Sequence, residues 1–491
     1  MDFLPFECLQ VIFTMLCVVD MIQLAKTNRA MNDVFKRVVS SCVKPHESLV
    51  PKKFYVNSLN VSTLSTFFDL PDFAFDRLII DINVMSIPNL SSVMELIGKL
   101  DVRKKSRLFV QDNVDSVSFT PYIKHLVGIN KLKINGNTTN VHDDLVQQQL
   151  STIPSLIFIQ VNNLNLTRFT SLESFSLIES NISDAYELRN IRTLSLSKCK
   201  NITDVSMLGN VYDLDLSYTN VSDVSMLGNV YALNLTHTRV IDVSMLGRVH
   251  KLNLSNTKVE DVSMLGDVYD LNLTDCNSVG VLDSLVRVHK LNLSGVCIHT
   301  VGMFCNVHNL TLSKCNRITD LHTLKSVHTL NVSFTFINDV SMLGDNFVLD
   351  LSNTKVEDVS MLGRVHTLNL YGTPVKDVSK LGNVHTLNLA RTKVEDVSML
   401  GRVHTLNLTD TRVQSVVGLE NVHTLNLTRT KVEDVSMLGR VHTLILYDTR
   451  VRSVVGLENV HTLDLTRTPI KAEMLRSLTG VTWLKHTEFS R

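Results

Sequence analysis

The sequence predicts an α/β solenoid: short coils stacked in one direction, a parallel β-sheet along the concave side, and a small helical domain in front. Three observations predict it. Residues 191–478 are fifteen consecutive copies of one unit, each of 19 or 20 residues. Aliphatic side chains recur at the same places in nearly every copy. A coil this short cannot enclose a core by itself, so each must bury its apolar side against the next.

The unit at 422–440, VHTLNLTRTKVEDVSMLGR, serves as the frame, with Val422 at place 1. Apolar residues fall at places 1, 4, 6, 11, 14 and 17: Val422, Leu425, Leu427, Val432, Val435 and Leu438. Leucines two apart have the period of a strand with one buried face, so Thr424, Asn426 and Thr428 point the other way. Asp434, ahead of Val-Ser-Met-Leu, is placed to accept the free N–H groups that open a short helical or 3-10 turn. Gly439 is expected to take positive φ and end that turn. Between 403 and 459 a version ending SVVGLEN alternates with the first, which makes a 38-residue super-repeat.

The regular units carry the organisation of the whole chain. Ahead of them, 76–190 shows the strand pattern at looser spacing, with candidates at 77–82, 107–111, 131–134, 156–161 and 172–177 and helix-like stretches at 91–100 and 141–150. Residues 49–75 read as a connector and 1–48 as three short helices. The tail, 479–491, with Trp483 and Leu484, reads as a cap on the last coil.

In the LxxLxLxxT/C-x-V/I frame these units resemble leucine-rich repeats, most closely the variety whose convex side is a brief DVSxL turn. Place 9, usually Asn in that family, is mostly Thr (Thr219, Thr238, Thr257, Thr354, Thr392, Thr430). Cys199, Cys276 and Cys315 take it in three units, each followed by one extra residue. The segments CKNITD and CNRITD are similar to cysteine-containing repeats common in F-box proteins. A small donor at this corner is expected to satisfy buried carbonyls of the adjacent coil. A redox or metal role is the alternative.

Composition narrows the function. Lys plus Arg and Asp plus Glu are 48 each, so there is no basic surplus for phosphate contacts, and a nucleic-acid binder is not expected. With 6% aromatics and a single Trp, the core should be aliphatic. Eight cysteines over 491 residues, none at zinc-finger spacing, fit a reduced intracellular protein. The apolar stretch from Phe3 to Ile22 is interrupted by Glu7, Gln10 and Asp20, which speaks against both a signal peptide and a membrane span. A cytoplasmic location, with the nucleus as an alternative and no membrane association, is the expectation.

Within 1–48, Leu9, Ile12, Phe13 and Leu16 have helical spacing on one face. The stretch resembles an F-box, whose pattern LPxExLxxIFxxLxxxDxxxLAxxN is matched by Leu4, Pro5, Glu7, Leu9, Ile12, Phe13, Leu16, Asp20, Leu24, Ala25 and Asn28. The Trp that usually closes the box is absent, and Phe35 stands nearest its place. The resemblance implies docking on the Skp-type adaptor of a cullin–RING ubiquitin ligase, with the repeats holding a protein substrate. A helical cap for the solenoid is the other reading. Arrays of this kind joined to an F-box are similar to those of large DNA viruses and protists.

Three columns follow from stacking the units. At place 2 run His250, His289, His308, His328, His366, His385, His404, His423, His442 and His461, with Tyr212, Tyr231 and Tyr269 elsewhere. Stacked flat rings are the expectation, with metal binding and a pH response as alternatives. At place 13 a column of aspartates is expected to cap turns. At place 5 a column of asparagines lies on the concave face, the usual binding surface of such arrays. Departures from its monotony are where a protein contact would show: Asp213, Asp215, Lys251, Asp270, Lys290, Asp350, Tyr371, Ile445, Tyr447 and Asp464. No phosphate loop, GxSxG or HExxH occurs, so neither catalysis nor a cofactor or metal is expected. The sequence thus points to a protein-recognition subunit, monomeric outside its complex. A free-standing repeat scaffold or decoy without a ubiquitin link is the alternative, and a secreted adhesin a more distant one.

Overall fold

The computed structural model describes residues 53–56, 77–81, 94–95, 97–100, 105, 108–111, 123–135, 144–162 and 164–486. It divides into two units, residues 1–240 and 241–491.

The first unit begins with strands Lys53–Val56, Arg77–Asp81, Leu108–Gln111, Lys131–Asn135, Ser155–Ile159 and Ser174–Ile178, each parallel to the next. The first of these falls in the stretch read as a connector. The other five match the expected strands to within a few residues. Helices Ile123–Leu126 and Asp144–Leu150 lie between strands, the second inside the stretch expected to be helical. Three further strands, Thr193–Ser195, Asp213–Asp215 and Ala232–Asn234, belong to regular coils. The aliphatic-core expectation fails locally. Phe158, Phe169 and Phe175 are fully buried, with ring centroids 5.2–5.8 Å apart. The coils that carry these rings have the regular 19-residue length, Ser155 to Ser174 to Thr193, and the rings pack edge-on and stacked at places that leucine fills in the later coils.

The second unit is a stack of regular coils. Its strands run from Lys251–Asn253 to Trp483–Lys485, each pairing in parallel with its successor along the chain. Each regular strand spans places 3 to 5, with the middle leucine buried and its neighbours facing outward. Places 1, 4, 6, 11, 14 and 17 form the core: Val422, Leu425, Leu427, Val432, Val435 and Leu438 are all 0 or 1% exposed. The fold expected from the repeat, an α/β solenoid with parallel strands, is present in both units.

The ladder of backbone hydrogen bonds extends beyond the strands. The place-6 N–H donates to the place-5 carbonyl of the next coil, as Leu408 does to Asn426 at 2.8 Å. Place 8 does the same one step on, Arg391 N–H to Thr409 at 2.8 Å. To reach it the place-8 residue adopts the left-handed conformation, with φ of 58° at Arg391 and 56° at Arg429. Lys, Arg, Tyr and Phe occur there as well as Asn and Asp. Such a residue sacrifices roughly 1–2 kcal/mol of backbone preference, which the ladder bond offsets.

Gly439 corrects the sequence reading. Its φ is −62°, an ordinary helical value. A side chain there would strike the carbonyl oxygen of Gly456 on the next coil, well inside 3.0 Å. Gly247 against Met264 and Gly363 against Lys380 repeat the arrangement. Glycine is needed for close approach between coils, not for an unusual turn.

The aspartate column caps as expected. Asp434 Oδ1 accepts the Ser436 N–H at 2.9 Å, and Asp242, Asp358 and Asp396 do likewise at 2.9–3.0 Å. These bonds, with those from the serine hydroxyls, hold the Asp358, Asp396 and Asp434 carboxyls below the ordinary 3.8.

At the end of the second unit, Trp483–Lys485 pairs with Thr462–Asp464, and the Leu465 N–H donates to Lys485. Trp483 itself remains 49% exposed. The last regular strand is covered by backbone pairing rather than by the indole.

Candidate functional site

Because place 4 points into the core, places 3, 5 and 7 of successive coils build one continuous face within each unit. Its central column is less available than its composition suggests. Asn426 Oδ1 accepts the Thr428 N–H at 2.9 Å, and Asn234 Oδ1 accepts both the N–H and the hydroxyl of Thr236, at 3.1 and 2.6 Å. The side chain at place 5 closes the turn that ends its own strand. Along the column, Asn388 donates to Asn369 and Asn234 to Asp215, both at 2.9 Å.

This geometry sorts the predicted contact residues. Asp215, Asp350 and Asp464 occupy place 5 and close the same turn, accepting from Ser217, Ser352 and Thr466 at 2.9–3.0 Å. Asp464 also meets Lys485 at 3.6 Å. They are structural substitutes for Asn. Ile445, also at place 5, has no such acceptor. Asp213, Lys251, Asp270 and Lys290 stand at place 3. In the second unit the register sets Lys251 beside Asp270 and Asp270 beside Lys290, a strip of alternating charge across three neighbouring strands. Tyr371 and Tyr447 stand at place 7 of well-separated coils, each beneath a guanidinium: Arg391 at 5.6 Å and Arg467 at 5.5 Å from the ring centre. The F-box-like residues Leu4, Pro5, Glu7, Leu9, Ile12, Phe13 and Leu16 lie outside the described residues.

Place 2 forms a stack beside this face. In the second unit it runs from His250 to His461 with centroids 4.4–4.8 Å apart and planes within 25°. Phe347, overlooked in the sequence because its unit opens with Asn346 instead of Val, fits between His328 and His366. Asn346 is itself buried, and its amide donates to the carbonyls of Leu324 and Val327, which flank the start of the preceding coil. In the first unit Tyr212 stacks on Tyr231 at 4.6 Å, with the Arg192 guanidinium over Tyr212. Burial holds His289, His366, His423 and His461 below the ordinary 6.5, and the charge of neighbouring imidazoles adds to it. Among the described residues no group of His, Cys, Asp and Glu is arranged to hold a metal ion.

The corner cysteines behave as hydrogen-bond donors. Cys199, Cys276 and Cys315 reach the carbonyls of Leu177, Leu254 and Leu293 on the preceding coil, with S···O of 3.0–3.3 Å. Burial pushes all three thiols up, Cys315 to about 11, so each stays protonated and unreactive. Threonine at the same place acts differently. Thr430 Oγ1 donates to Leu427 of its own coil at 2.8 Å. The expected bond to the adjacent coil is therefore made by Cys and not by Thr, whose branched Cβ aims the hydroxyl back along its own turn.

A further column appears only when units are aligned by place. Place 8 reads Arg391, Asp410, Arg429, Asp448, Arg467 in successive coils. Arg391 contacts Asp410 at 3.3 Å, and Arg429 contacts Asp448 at 3.5 Å and Asp410 at 4.0 Å.

No protein-family model matches this chain, and no curated protein sequence matches it either. Solved structures do. The mouse RP105/MD-1 complex superposes with a TM-score of 0.56 at 14% identity, covering 81% of this chain and 86% of that one. An LRR protein of Leptospira interrogans matches at 15% identity over 75% of this chain and 100% of that one, TM-score 0.43. An internalin of Listeria monocytogenes matches at 17% identity over 70% and 89%, TM-score 0.35. At these identities the likeness is one of fold. Coil architecture, parallel strands and 3-10 turns together are those of the leucine-rich-repeat fold. No helix among the described residues is long and apolar enough to cross a membrane.

Proposed function

We propose that this chain is a non-catalytic protein-binding scaffold whose repeats hold a partner protein, and that its first 48 residues dock on the Skp-type adaptor of a cullin–RING ubiquitin ligase. The supporting observation is the outward face of places 3, 5 and 7. Its polar side chains are tied into turns and ladders, so a partner meets a pre-ordered surface and little side-chain entropy is lost on binding. The corner thiols are protonated donors, and the histidines and aspartates are spread along columns rather than converging, so the described residues offer recognition chemistry. The mouse relative in fold was solved as a complex of two proteins, which is compatible with this use of the architecture. The ligase assignment rests on the match from Leu4 to Asn28 and sets the chain inside the cell.

Pull-down of the purified full chain with a Skp-type adaptor tests the proposal. Binding that is lost on Leu4→Ala/Pro5→Ala/Ile12→Ala supports it. Failure of the intact chain to bind any adaptor homologue would remove the ubiquitin link and leave a free-standing scaffold.

A further inference from the structure

The corner between strand and 3-10 turn carries an excess of cationic side chains near the end of the second unit. At places 10 and 12 a base and an acid of neighbouring coils meet in some steps, as Arg412 and Glu395 do at 3.6 Å, and not in others, where Lys393 follows Lys376 and Lys431 follows Gln414. Two coils beyond Arg412, Arg450 is placed next to Glu433, and the following step fails. Place 12 of that coil is Arg452 instead of an acid, and place 10 of the next is Pro469. These residues line a cleft of about 820 Å³ to which Lys431 and Arg467 also contribute. The two acids of its lining, Glu433 and Asp448, face five cationic side chains. Asp448 is already engaged by Arg429 at 3.5 Å. Among the described residues Lys431, Arg450 and Arg452 make no ion pair, and all three are exposed. Arg467 lies over the Tyr447 ring, which leaves the edge of its guanidinium free to donate.

We propose that this cleft receives a short acidic peptide segment of a partner protein, two or three carboxylates seated among Lys431, Arg450, Arg452 and Arg467. Guanidinium forks match carboxylates in bidentate geometry, and an open cleft of this size holds a few residues. The surroundings limit the length of the occupant. Glu433 borders the cleft, and Asp434 and Glu395 lie beyond it, so a continuous polyanion such as a nucleic acid would run onto repulsive charge. The inference deepens the protein-binding reading and rests on it.

Fluorescence anisotropy with labelled hexaglutamate and the full chain tests the cleft directly. Saturable binding is expected, weakening with added salt and falling about tenfold or more in Arg450→Glu/Arg452→Glu. Arg450→Lys/Arg452→Lys should retain most of it, and circular dichroism checks that both variants fold. No binding by the wild type, equal binding by the Glu variant, or tighter binding of an oligothymidylate of equal charge would each overturn the proposal. The two readings separate on partner capture. A partner held equally by wild type and Glu variant removes the cleft and keeps the scaffold. Hexaglutamate binding by a chain that captures no protein keeps the cleft chemistry and removes the scaffold.

Discussion

Gly247 and Gly280 show how much one methyl group decides in a stack this tight. A Cβ on Gly247 would meet the Met264 carbonyl oxygen well inside 3.0 Å, whereas at Gly280 the nearest atom, the Glu260 oxygen, is 4.0 Å away. Backbone cannot rotate aside as a side chain can, so the coils must separate. Gly247→Ala is expected to cost on the order of 1–3 kcal/mol, the usual range for overpacking, and Gly280→Ala close to nothing. Urea unfolding of the two variants side by side checks this, and equal midpoints would refute it. The same spacing explains why Gly recurs at place 18 although its φ is ordinary. Sequence reading attaches the glycine to the turn because a turn is local, and the true contact lies in the following coil.

The histidine column is the element whose chemistry depends on its neighbours. In His328, His366, His385, His404, His423 and His461 the ring Nδ1 lies near the hydroxyl of the next residue, at 3.3 Å in His404 with Thr405, and within the stack a ring such as His404 meets a ring on both faces. His289, His366, His423 and His461 have depressed proton affinity in the folded chain. The unfolded chain therefore binds more protons as pH falls below the ordinary 6.5, and stability declines from there until the folded rings also charge. Above that value the neutral column contributes without penalty. The carboxylates at place 13 act in a separate, more acidic window. Their lowered affinity stabilises the fold above the ordinary 3.8 and is lost as pH falls through the folded value. Chemical denaturation at pH 7.5 and 5.5 (values chosen about one unit either side of the free imidazole's pKa) should show the chain weaker in acid. His366→Phe/His423→Phe, which repeats the ring that Phe347 already supplies to the same stack, should reduce that difference. An unchanged difference would mean that the column does not set the acid response.

At the scale of the molecule, each coil leans only on its neighbours, so damage should stay local in extent though large in energy. Leu406 is 1% exposed at place 4, and Leu406→Ala is expected to cost about 2–5 kcal/mol. Hydrogen exchange should then rise in the coils at 384–440 while those near Leu271 and Leu291 keep their protection. Uniform loss across the second unit would indicate all-or-none cooperativity instead.

Much of this protein is legible from its repeat alone. Period, strand position, buried leucines, capping aspartates and stacked rings all follow from one residue pattern, because each depends on place within a coil. What the sequence could not decide were relations between coils whose partners lie about twenty residues away. These are the close approach at Gly247 and the reach of Cys276 to a preceding carbonyl; the turn-closing duty of Asp215, Asp350 and Asp464 is local, two residues on, but in sequence these carboxylates have the look of binding residues. The cleft at Arg450 and Arg452 belongs with the relations between coils. Charge at one place becomes a surface only when folding sets successive coils side by side, about 4.8 Å apart, and that separation is a property of the tertiary structure.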